Sequence, residues 1–453
     1  MKLRVALVGT YDLGRQPFGL ASPAAWLRRA GAVVTLHDHS VDPLDDAALA
    51  GADLVAFHVP MHTATRLAAR HIAAVAAARP RPHLAAYGLY ASMNAGYLRG
   101  LGVDSILGGE FEAALVRLAE RLAAGAPPAA DAPDVSLERL AFIPPDRAGL
   151  PPLSRYTRLV DGPGEPRITG ATEASRGCKH RCRHCPIVPV YGGRFKVVPR
   201  EVVLEDVRRQ VEAGATHVTF GDPDFFNGIG HALPLVRELH AAHPHVSYDV
   251  TIKVEHLLRH ADALPVLRET GCRFVTSAVE SVDDRILTIL DKGHTRQDVV
   301  AALAATRAAG LHLNPTFVAF TPWIDRSGYV DLLGFIEHHG LVPSVAPVQL
   351  SIRLLLPAGS LLLERREMIP HLGGFDEAAL AWRWHHPDPA MDALQRRVAG
   401  LVAAAGAGAP REALFEQVLA AAAGCRRHAR LTPGAVPAVP AAPVPFLTEP
   451  WYC

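Results

Sequence analysis

The chain has 453 residues, of which 49% are hydrophobic, so a substantial core is possible and whole-chain disorder is excluded. Lys and Arg number 46 and Asp and Glu number 45, so the net charge of +1 provides no general attraction for nucleic acid or an anionic membrane. Six cysteines are too few to staple a chain of this length with disulfides.

The N-terminal run Leu3–Gly9 is too short for the apolar region of a signal peptide and predicts a buried first strand. No stretch of about 18 uncharged apolar residues is present, so no membrane-spanning helix is predicted. We therefore expect a cytoplasmic protein without a membrane or nucleic-acid partner.

Residues 1–125 alternate short apolar runs with Ala-rich helical stretches. The predicted strands are Val5–Gly9, Ala32–Leu36, Asp53–His58, His83–Tyr87 and Asp104–Leu107, with helices such as His62–Ala78 and Phe111–Ala124 between them. Strands separated by crossover helices predict a parallel sheet covered on both faces. This part of the chain is predicted to be a Rossmann-like, doubly wound α/β domain.

Residues 126–166 are rich in Pro and Gly and are predicted to form a linker. Residues 167–355 resume the β/α alternation, with predicted strands Arg167–Glu173, His217–Gly221, Ser247–Ile252, Arg273–Val279, His312–Ala319 and Val348–Leu354. Helices are predicted from Pro199 and over residues 231–242, 257–269, 295–309 and 326–338. Six strands at this spacing predict a curved parallel sheet that forms a partial barrel, with its chemistry at the carboxyl ends of the strands.

Residues 356–431 are predicted to be helical, including Glu364–Arg366 and Met391–Ala405, and residues 432–453 to be an extended, Pro/Ala-rich tail.

Three cysteines lie directly after the first predicted barrel strand. Cys178, Cys182 and Cys185 have the spacing C-x3-C-x2-C. Because iron–sulfur cubes normally take four Cys ligands, three thiolates would leave one iron open for catalysis. Zinc held by the three cysteines with His180 or His184, and a ferredoxin-type electron carrier, remain alternatives. Lys179, Arg181 and Arg183 are expected to favour deprotonated thiols.

This cysteine loop resembles the signature of the radical S-adenosylmethionine (radical SAM) superfamily. The resemblance implies that Cys178, Cys182 and Cys185 hold a [4Fe–4S] cluster whose open iron binds SAM. One-electron reduction then cleaves SAM to methionine and a 5′-deoxyadenosyl radical. It further implies a reductant such as ferredoxin or flavodoxin and a small-molecule or peptide substrate. The sequence departs from the pattern at His184, where the family usually has a carbocyclic aromatic residue.

Polar residues follow the predicted strands where the superfamily binds SAM. Gly221, Asp222 and Asp224 end the second strand, and the resemblance implies that they receive the SAM amino group; a capped turn is the alternative. Glu280 and Ser281 end the fourth strand, where a carboxylate can bind ribose hydroxyls; pairing of Glu280 with a neighbouring Arg is the alternative.

Further polar residues are expected to line the barrel. Asp249, Thr251 and Lys253 alternate with apolar residues on the third strand, and Thr316 lies on the fifth. A substrate or cofactor cavity would explain them, and so would internal hydrogen bonds. Most of the 23 histidines are expected on solvated helix faces.

Residues 1–125 resemble the cobalamin-binding domain of one radical SAM subgroup. Gly108–Glu112, at the last strand-to-helix turn, carries the resemblance and could contact a cofactor through backbone amides. The D-x-H-x-x-G loop that supplies the lower cobalt ligand in that domain is missing, since Tyr11–Gln16 contains no His. Cobalamin is thus one expected cofactor, and a degenerate domain kept for partner or substrate contacts is the alternative.

The tail Leu447–Cys453 resembles that of an uncharacterised set of radical SAM proteins, as do Gly221–Asn227, Asn314–Trp323 and Gln349–Gly359. In that set the tail continues with a second Cys or a selenocysteine, followed by Ala-Glu-Pro. We therefore hypothesise that the chain is a truncated reading of a selenoprotein; an ordinary frayed terminus is the alternative. For the whole chain, the alternative to a radical SAM enzyme is a non-catalytic zinc or iron–sulfur scaffold that binds a partner.

Overall fold

The structure is a computed structural model that describes residues 2–49, 51–126, 134–406, 409–424 and 444–449. In its N-terminal part the strands are β1 Arg4–Gly9, β2 Val33–Asp38, β3 Leu54–His58, β4 His83–Tyr87, β5 Ser105–Gly109 and β6 Asp134–Ser136. The helices are α1 Phe18–Arg29, α2 Asp46–Leu49, α3 His62–Ala77, α4 Leu89–Met93, α5 Ala95–Gly100 and α6 Phe111–Ala123.

These strands form one parallel sheet in the order β2-β1-β3-β4-β5-β6. Successive residues of β1 face opposite sides, so that Leu7 packs among the residues under α1 and α6 while Val8 packs under α3. The Rossmann-like, doubly wound fold is confirmed. Its last strand, β6, lies within the segment predicted as a linker.

The second part of the chain builds a curved sheet. Its strands and the short hairpin at its mouth are β7 Arg158–Val160, β8 Arg167–Thr172, β9 Ser175–Gly177, β10 Phe195–Val197, β11 His217–Phe220, β12 Ser247–Thr251, β13 Cys272–Glu280 and β14 His312–Phe317. The helices are α7 Val188–Tyr191, α8 Arg200–Glu212, α9 Ile229–Ala242, α10 Val254–Arg259, α11 Leu264–Glu269, α12 Asp284–Leu290, α13 Arg296–Ala308 and α14 Arg326–His338.

The order across this sheet is β14-β13-β12-β11-β8-β7, in which β8 and β11–β14 are parallel and β7 is antiparallel. The predicted partial barrel is confirmed, but the predicted sixth strand, Val348–Leu354, is wrong. Pro347–Leu350 form a 3-10 turn in which the Gln349 side chain accepts the N–H of Phe317 at the end of β14 (2.9 Å). Only an isolated parallel bridge follows, between Phe320 and Arg353.

The C-terminal region is helical only in its second half. Its elements are β15 Leu372–Asp376, β16 Ala381–Trp384, α15 Pro389–Ala405 and α16 Arg411–Ala423. Glu364–Arg366, predicted as helical, lie in turns, and β15 and β16 form an antiparallel hairpin. Likewise, the single helix predicted over 257–269 is the pair α10 and α11.

The last described segment, residues 444–449, contacts both edges of the curved sheet and the N-terminal domain. Strand β17, Phe446–Leu447, pairs with β7 at one edge of the curved sheet, and Asn314 of β14 at the other edge donates to the Pro445 carbonyl (3.1 Å). The Tyr11 hydroxyl then donates to Glu449 (3.1 Å). Cys425 and the end of the tail with Cys453 lie outside the described residues, so the selenoprotein hypothesis is untested. Within the described residues, no helix combines the length and apolar character that crossing a membrane requires.

Candidate active site

The three cysteines of the loop line one cavity of about 450 Å³ at the carboxyl ends of the barrel strands. The loop leaves β9 at Gly177, whose φ of 73° favours glycine, and a Cβ there would collide with the Arg194 carbonyl and the Tyr191 ring. No fourth cysteine lines the cavity in the described part of the chain. The donor set therefore fits a cubane with one open vertex.

The loop is tied to the barrel at several points. The amide oxygen of Asn227, after β11, accepts the Lys179 N–H (3.2 Å) and lies 3.9 Å from the Cys178 sulfur. The Arg183 N–H donates to the Leu290 carbonyl (2.9 Å). These contacts fix the position of the loop relative to the barrel strands.

The expectation that Lys179, Arg181 and Arg183 favour deprotonated thiols is wrong for Cys178 and Cys185. The Lys179 ammonium lies over the Phe195 ring (4.6 Å from its centre), and Arg183 caps carbonyls at the end of α12. Burial raises the pKa of Cys178, and it raises the pKa of Cys185 to about 12. Metal binding at this loop therefore has to release protons.

Glu280 lines the cavity beside the cysteines and is a buried, paired carboxylate. Its Oε1 lies 3.2 Å from His184 Nε2 and 3.3 Å from the Lys292 ammonium, so its partners are a Lys and a His rather than the Arg considered above. Burial alone would raise the pKa of Glu280, but Lys292 and His184 hold it at about 2. Its φ of 67° is left-handed, so the backbone is strained at this strand end.

Asp222 lines the cavity but already has partners in the protein. Its carboxylate accepts the Ala174 N–H (2.9 Å) and the Ser175 hydroxyl (2.5 Å). Burial raises its pKa to about 7 despite these hydrogen bonds. The carboxylate thereby fixes the entry to the cysteine loop.

Asp224 lies in the cavity wall between two imidazoles. Its Oδ2 is 3.3 Å from His180 Nε2 and 2.6 Å from His256 Nδ1. Burial would raise its pKa, but the two imidazoles hold it at about 2. Lys253, also in the wall, has its ammonium 3.0 Å from His180 Nδ1 and 3.2 Å from Glu255.

The other predicted residues divide between the cavity and the protein interior. Gly221 and Thr316 line the cavity, and Ser281 is buried, with its hydroxyl accepting the Asp283 N–H (3.1 Å). Asp249 is held by internal hydrogen bonds from Thr219 (2.6 Å) and His217 (2.8 Å). The prediction of solvated histidines fails for such residues as His217 and His256, which are buried.

The opposite wall of the cavity is the strand-end edge of the N-terminal sheet. Its residues follow β1, β3 and β4 and are Asp12, Leu13, Arg15, Gln16, Phe18, Pro60, Met61, His62, Thr63, Leu89 and Tyr90. The cavity thus lies between the two sheets, at the ends where parallel α/β sheets bind ligands.

A buried ion cluster joins the two domains behind the cysteine loop. Arg176 of β9 pairs with Glu110 (3.1 Å) and Glu112 (2.6 Å) of the N-terminal domain and with Glu173 (2.8 Å). The turn predicted to offer backbone amides to a cofactor therefore contributes its carboxylates to domain docking.

Comparison with known proteins decides the family of the barrel. A model of the radical SAM superfamily matches residues 172–323, which contain the cysteine loop and β11–β14. The chain contains a radical SAM domain. This match confirms the resemblance seen in the sequence and supports an enzyme; no finding supports the alternative of a non-catalytic scaffold.

Curated relatives match about a third of the chain at low identity. An uncharacterised methyltransferase of Pyrococcus horikoshii is 25% identical over 154 residues, and the hopanoid C-3 methylase of Methylococcus capsulatus is 26% identical over 157 residues. These alignments cover 34% and 35% of this chain and 33% and 30% of the relatives. The chain thus matches only about a third of the length of each relative.

Solved structures extend the likeness to the N-terminal domain. The cobalamin-dependent radical SAM enzyme OxsB superposes with a TM-score of 0.69 at 14% identity, over 87% of this chain and 66% of that one. The radical SAM methyltransferase TsrM from Kitasatospora setae superposes with a TM-score of 0.64 at 16% identity, over 94% and 89%. At these identities the likeness is one of fold.

Proposed function

We propose that this protein is a cobalamin-dependent radical SAM enzyme that methylates a small-molecule or peptide substrate. The observation that carries the proposal is the single cavity in which the three cysteines face the strand-end edge of the N-terminal sheet. The folds of OxsB and TsrM, both named as radical SAM enzymes, and the methyltransferases among the relatives support it.

In this proposal Cys178, Cys182 and Cys185 hold a [4Fe–4S] cluster. When bound, the cluster supplies the electron for SAM cleavage and cobalamin supplies a methyl carrier. Cys182 is buried, and Cys178 and Cys185 are half-buried in the wall of the cavity. Ferredoxin or flavodoxin is the proposed reductant.

Glu280 is the proposed principal SAM contact, because it is ionised, buried and turned into the cavity beside the cysteines. A carboxylate there can accept hydrogen bonds from ribose hydroxyls. Lys292 balances its charge, and the same positive charge opposes the rise that burial causes in the pKa of Cys185. Gly221, Lys253 and Thr316 line the same wall and complete the proposed SAM site.

Cobalamin would rest on the opposite wall. Apolar side chains such as Leu13, Phe18, Met61 and Tyr90 face the cavity there and suit a flat macrocycle. Tyr11–Gln16 contains no His, and the His62 ring hydrogen-bonds to the Ala379 carbonyl. We therefore propose that the β1–α1 loop binds cobalamin without supplying an imidazole to the cobalt.

Anaerobic reconstitution tests the proposal. We expect about four sulfide and at least four iron per chain, cobalamin retained through gel filtration, and formation of 5′-deoxyadenosine or S-adenosylhomocysteine from SAM after reduction. Cys178→Ala should abolish cluster assembly.

The matched control is Cys272→Ala, because Cys272 is a buried thiol at the start of β13 outside the cavity. It should retain the full iron content. Zinc in place of iron, without any turnover of SAM, would refute the enzyme; SAM cleavage without retained cobalamin would refute only the role of the N-terminal domain.

A further inference from the structure

A second group of side chains of the kinds that bind metals lies beside the cysteine loop. His180 comes from the loop, Asp224 follows β11, and His256 is on α10. One nitrogen or oxygen of each, His180 Nε2, Asp224 Oδ2 and His256 Nδ1, lies within 4.8 Å of the other two. Three separate elements thus bring two imidazoles and one carboxylate to a single point.

These three atoms are buried and lack a hydrogen bond of acceptable geometry. Asp224 is 1% exposed and His256 5%. The other carboxylate oxygen of Asp224, Oδ1, accepts the N–H groups of Phe226 (3.2 Å) and Lys253 (3.4 Å), so Oδ2 alone points at the histidines. Because buried polar atoms rarely remain without partners, their convergence points to an occupant.

The local charge favours a cation. The Lys253 ammonium and the Glu255 carboxylate lie 3.2 Å apart and cancel each other. The negative charge of Asp224 then remains beside two imidazoles, which are neutral when they bind metals. A divalent ion would turn this local charge from negative to positive and fill the gap between the three atoms.

We propose that His180, Asp224 and His256 bind one divalent transition-metal ion, Fe²⁺ or Zn²⁺, separate from the iron–sulfur cluster. Two imidazole nitrogens and one carboxylate oxygen suit both ions and leave coordination positions free. His180 and Asp224 line the cavity, so a free position faces the same space as the cysteines. The ion would also fix His180, and with it the loop between Cys178 and Cys182.

Two adjustments accompany binding. Ligand distances of about 2.0–2.2 Å require the Asp224–His256 contact to open slightly from 2.6 Å. His180 binds through Nε2, so its Nδ1 carries the proton and no longer accepts a hydrogen bond from the Lys253 ammonium, which keeps Glu255 as its partner.

The test separates this ion from the cluster by removing the three loop cysteines. The triple variant Cys178→Ala/Cys182→Ala/Cys185→Ala is loaded anaerobically with Zn²⁺, desalted and analysed for metal. We expect about one equivalent per chain, falling to none when Asp224→Asn is added. With Co²⁺ the triple variant should give a visible ligand-field spectrum without a thiolate charge-transfer band. A folded triple variant that binds no metal, or one that keeps its metal after Asp224→Asn, overturns the proposal.

A second measurement leaves the loop intact, in case the triple variant does not fold. Reconstituted protein should carry one metal ion in excess of its sulfide, and His256→Gln should lose only that excess ion. His260→Gln is the matched control, because His260 follows the same helix but is not one of the three ligands. Loss of sulfide together with the ion, or an excess ion retained in His256→Gln, counts against the site. Because cluster content is measured separately, failure here leaves the proposed function intact.

Discussion

At the scale of single residues, the cavity wall contains buried charged groups that are paired with groups of opposite charge. Glu280 with Lys292 and His184 is the clearest case, since both charges of its ion pair are removed from water. A buried pair contributes little net stability, but removing one partner strands the other. The set is therefore sensitive to single substitutions.

Lys292→Met should destabilise the metal-free protein by on the order of 3 kcal/mol, because the Glu280 carboxylate loses its main counter-charge in a buried site. Urea unfolding measures the loss. Adding Glu280→Gln to this variant should restore part of the stability, since no charge is then left unpaired. A double variant that shows the sum of the two single losses would mean that the two residues are not coupled.

Asp222 predicts a pH dependence of stability. Its pKa is raised to about 7 in the folded protein, from 3.8. The folded state therefore holds a proton that the unfolded state has lost, and unfolding free energy should fall as the pH rises from about 4 to 7. Asp222→Asn should flatten this slope when urea unfolding is repeated across that range. An unchanged slope would show that Asp222 is ionised in the folded state.

At the scale of elements, the sequence was sufficient where burial alone decides the structure. The five predicted strands of the N-terminal sheet and the first five barrel strands all form, because short apolar runs between breakers have few alternatives. The sixth failed because Gln349 replaces strand pairing with a side-chain hydrogen bond to Phe317. That exchange depends on a partner more than thirty residues away, which periodicity cannot reveal.

In the candidate site, too, the residues set by local sequence could be predicted and those set by distant contacts could not. Cys178, Cys182 and Cys185 were predictable because their spacing is local. The contacts of His256 with Asp224, and of Arg176 with Glu110 and Glu112, join distant segments of the chain and were missed. The one available signal was the presence of unexplained charged residues in apolar surroundings, as at Glu110–Glu112.

We expect the C-terminal segment, residues 444–449, to help close the curved sheet. A variant ending at residue 443 would lose the pairing of Phe446 and Leu447 with β7 and the contact of Asn314 with Pro445. The uncovered β7 edge should lower the melting temperature and promote association between copies. Thermal unfolding and gel filtration measure both effects. A monomer with unchanged melting temperature would show that the segment is dispensable.

At the scale of the whole molecule, the two domains share one cavity and one buried ion cluster. Arg176 is surrounded by Glu110, Glu112 and Glu173, with the rings of Phe18 and Phe111 within 5.6 Å of its guanidinium. Arg176, at the centre of the cluster, lies two residues before Cys178. Domain docking and the position of the cysteine loop are therefore mechanically linked.

Arg176→Met should weaken this docking, because buried carboxylates of both domains lose their shared cation. We expect a loss of about 3 kcal/mol or more in the free energy of unfolding, measured by unfolding experiments. We also expect faster cleavage between the domains, measured by limited proteolysis. Arg155→Met, which removes the exposed pair with Asp42 (2.7 Å), is the control and should change little. Equal effects from the two variants would contradict a special role for Arg176.

The path of the last segment has a consequence for biosynthesis. During synthesis β7 and β14 leave the ribosome long before β17. The edge of β7 therefore has no partner strand while α15 and α16 are made. The N-terminal domain can complete its own sheet during this interval, because β1–β6 all precede β7. We therefore expect the barrel to close only after β17 has emerged, and the edge of β7 to be open to pairing with other chains until then.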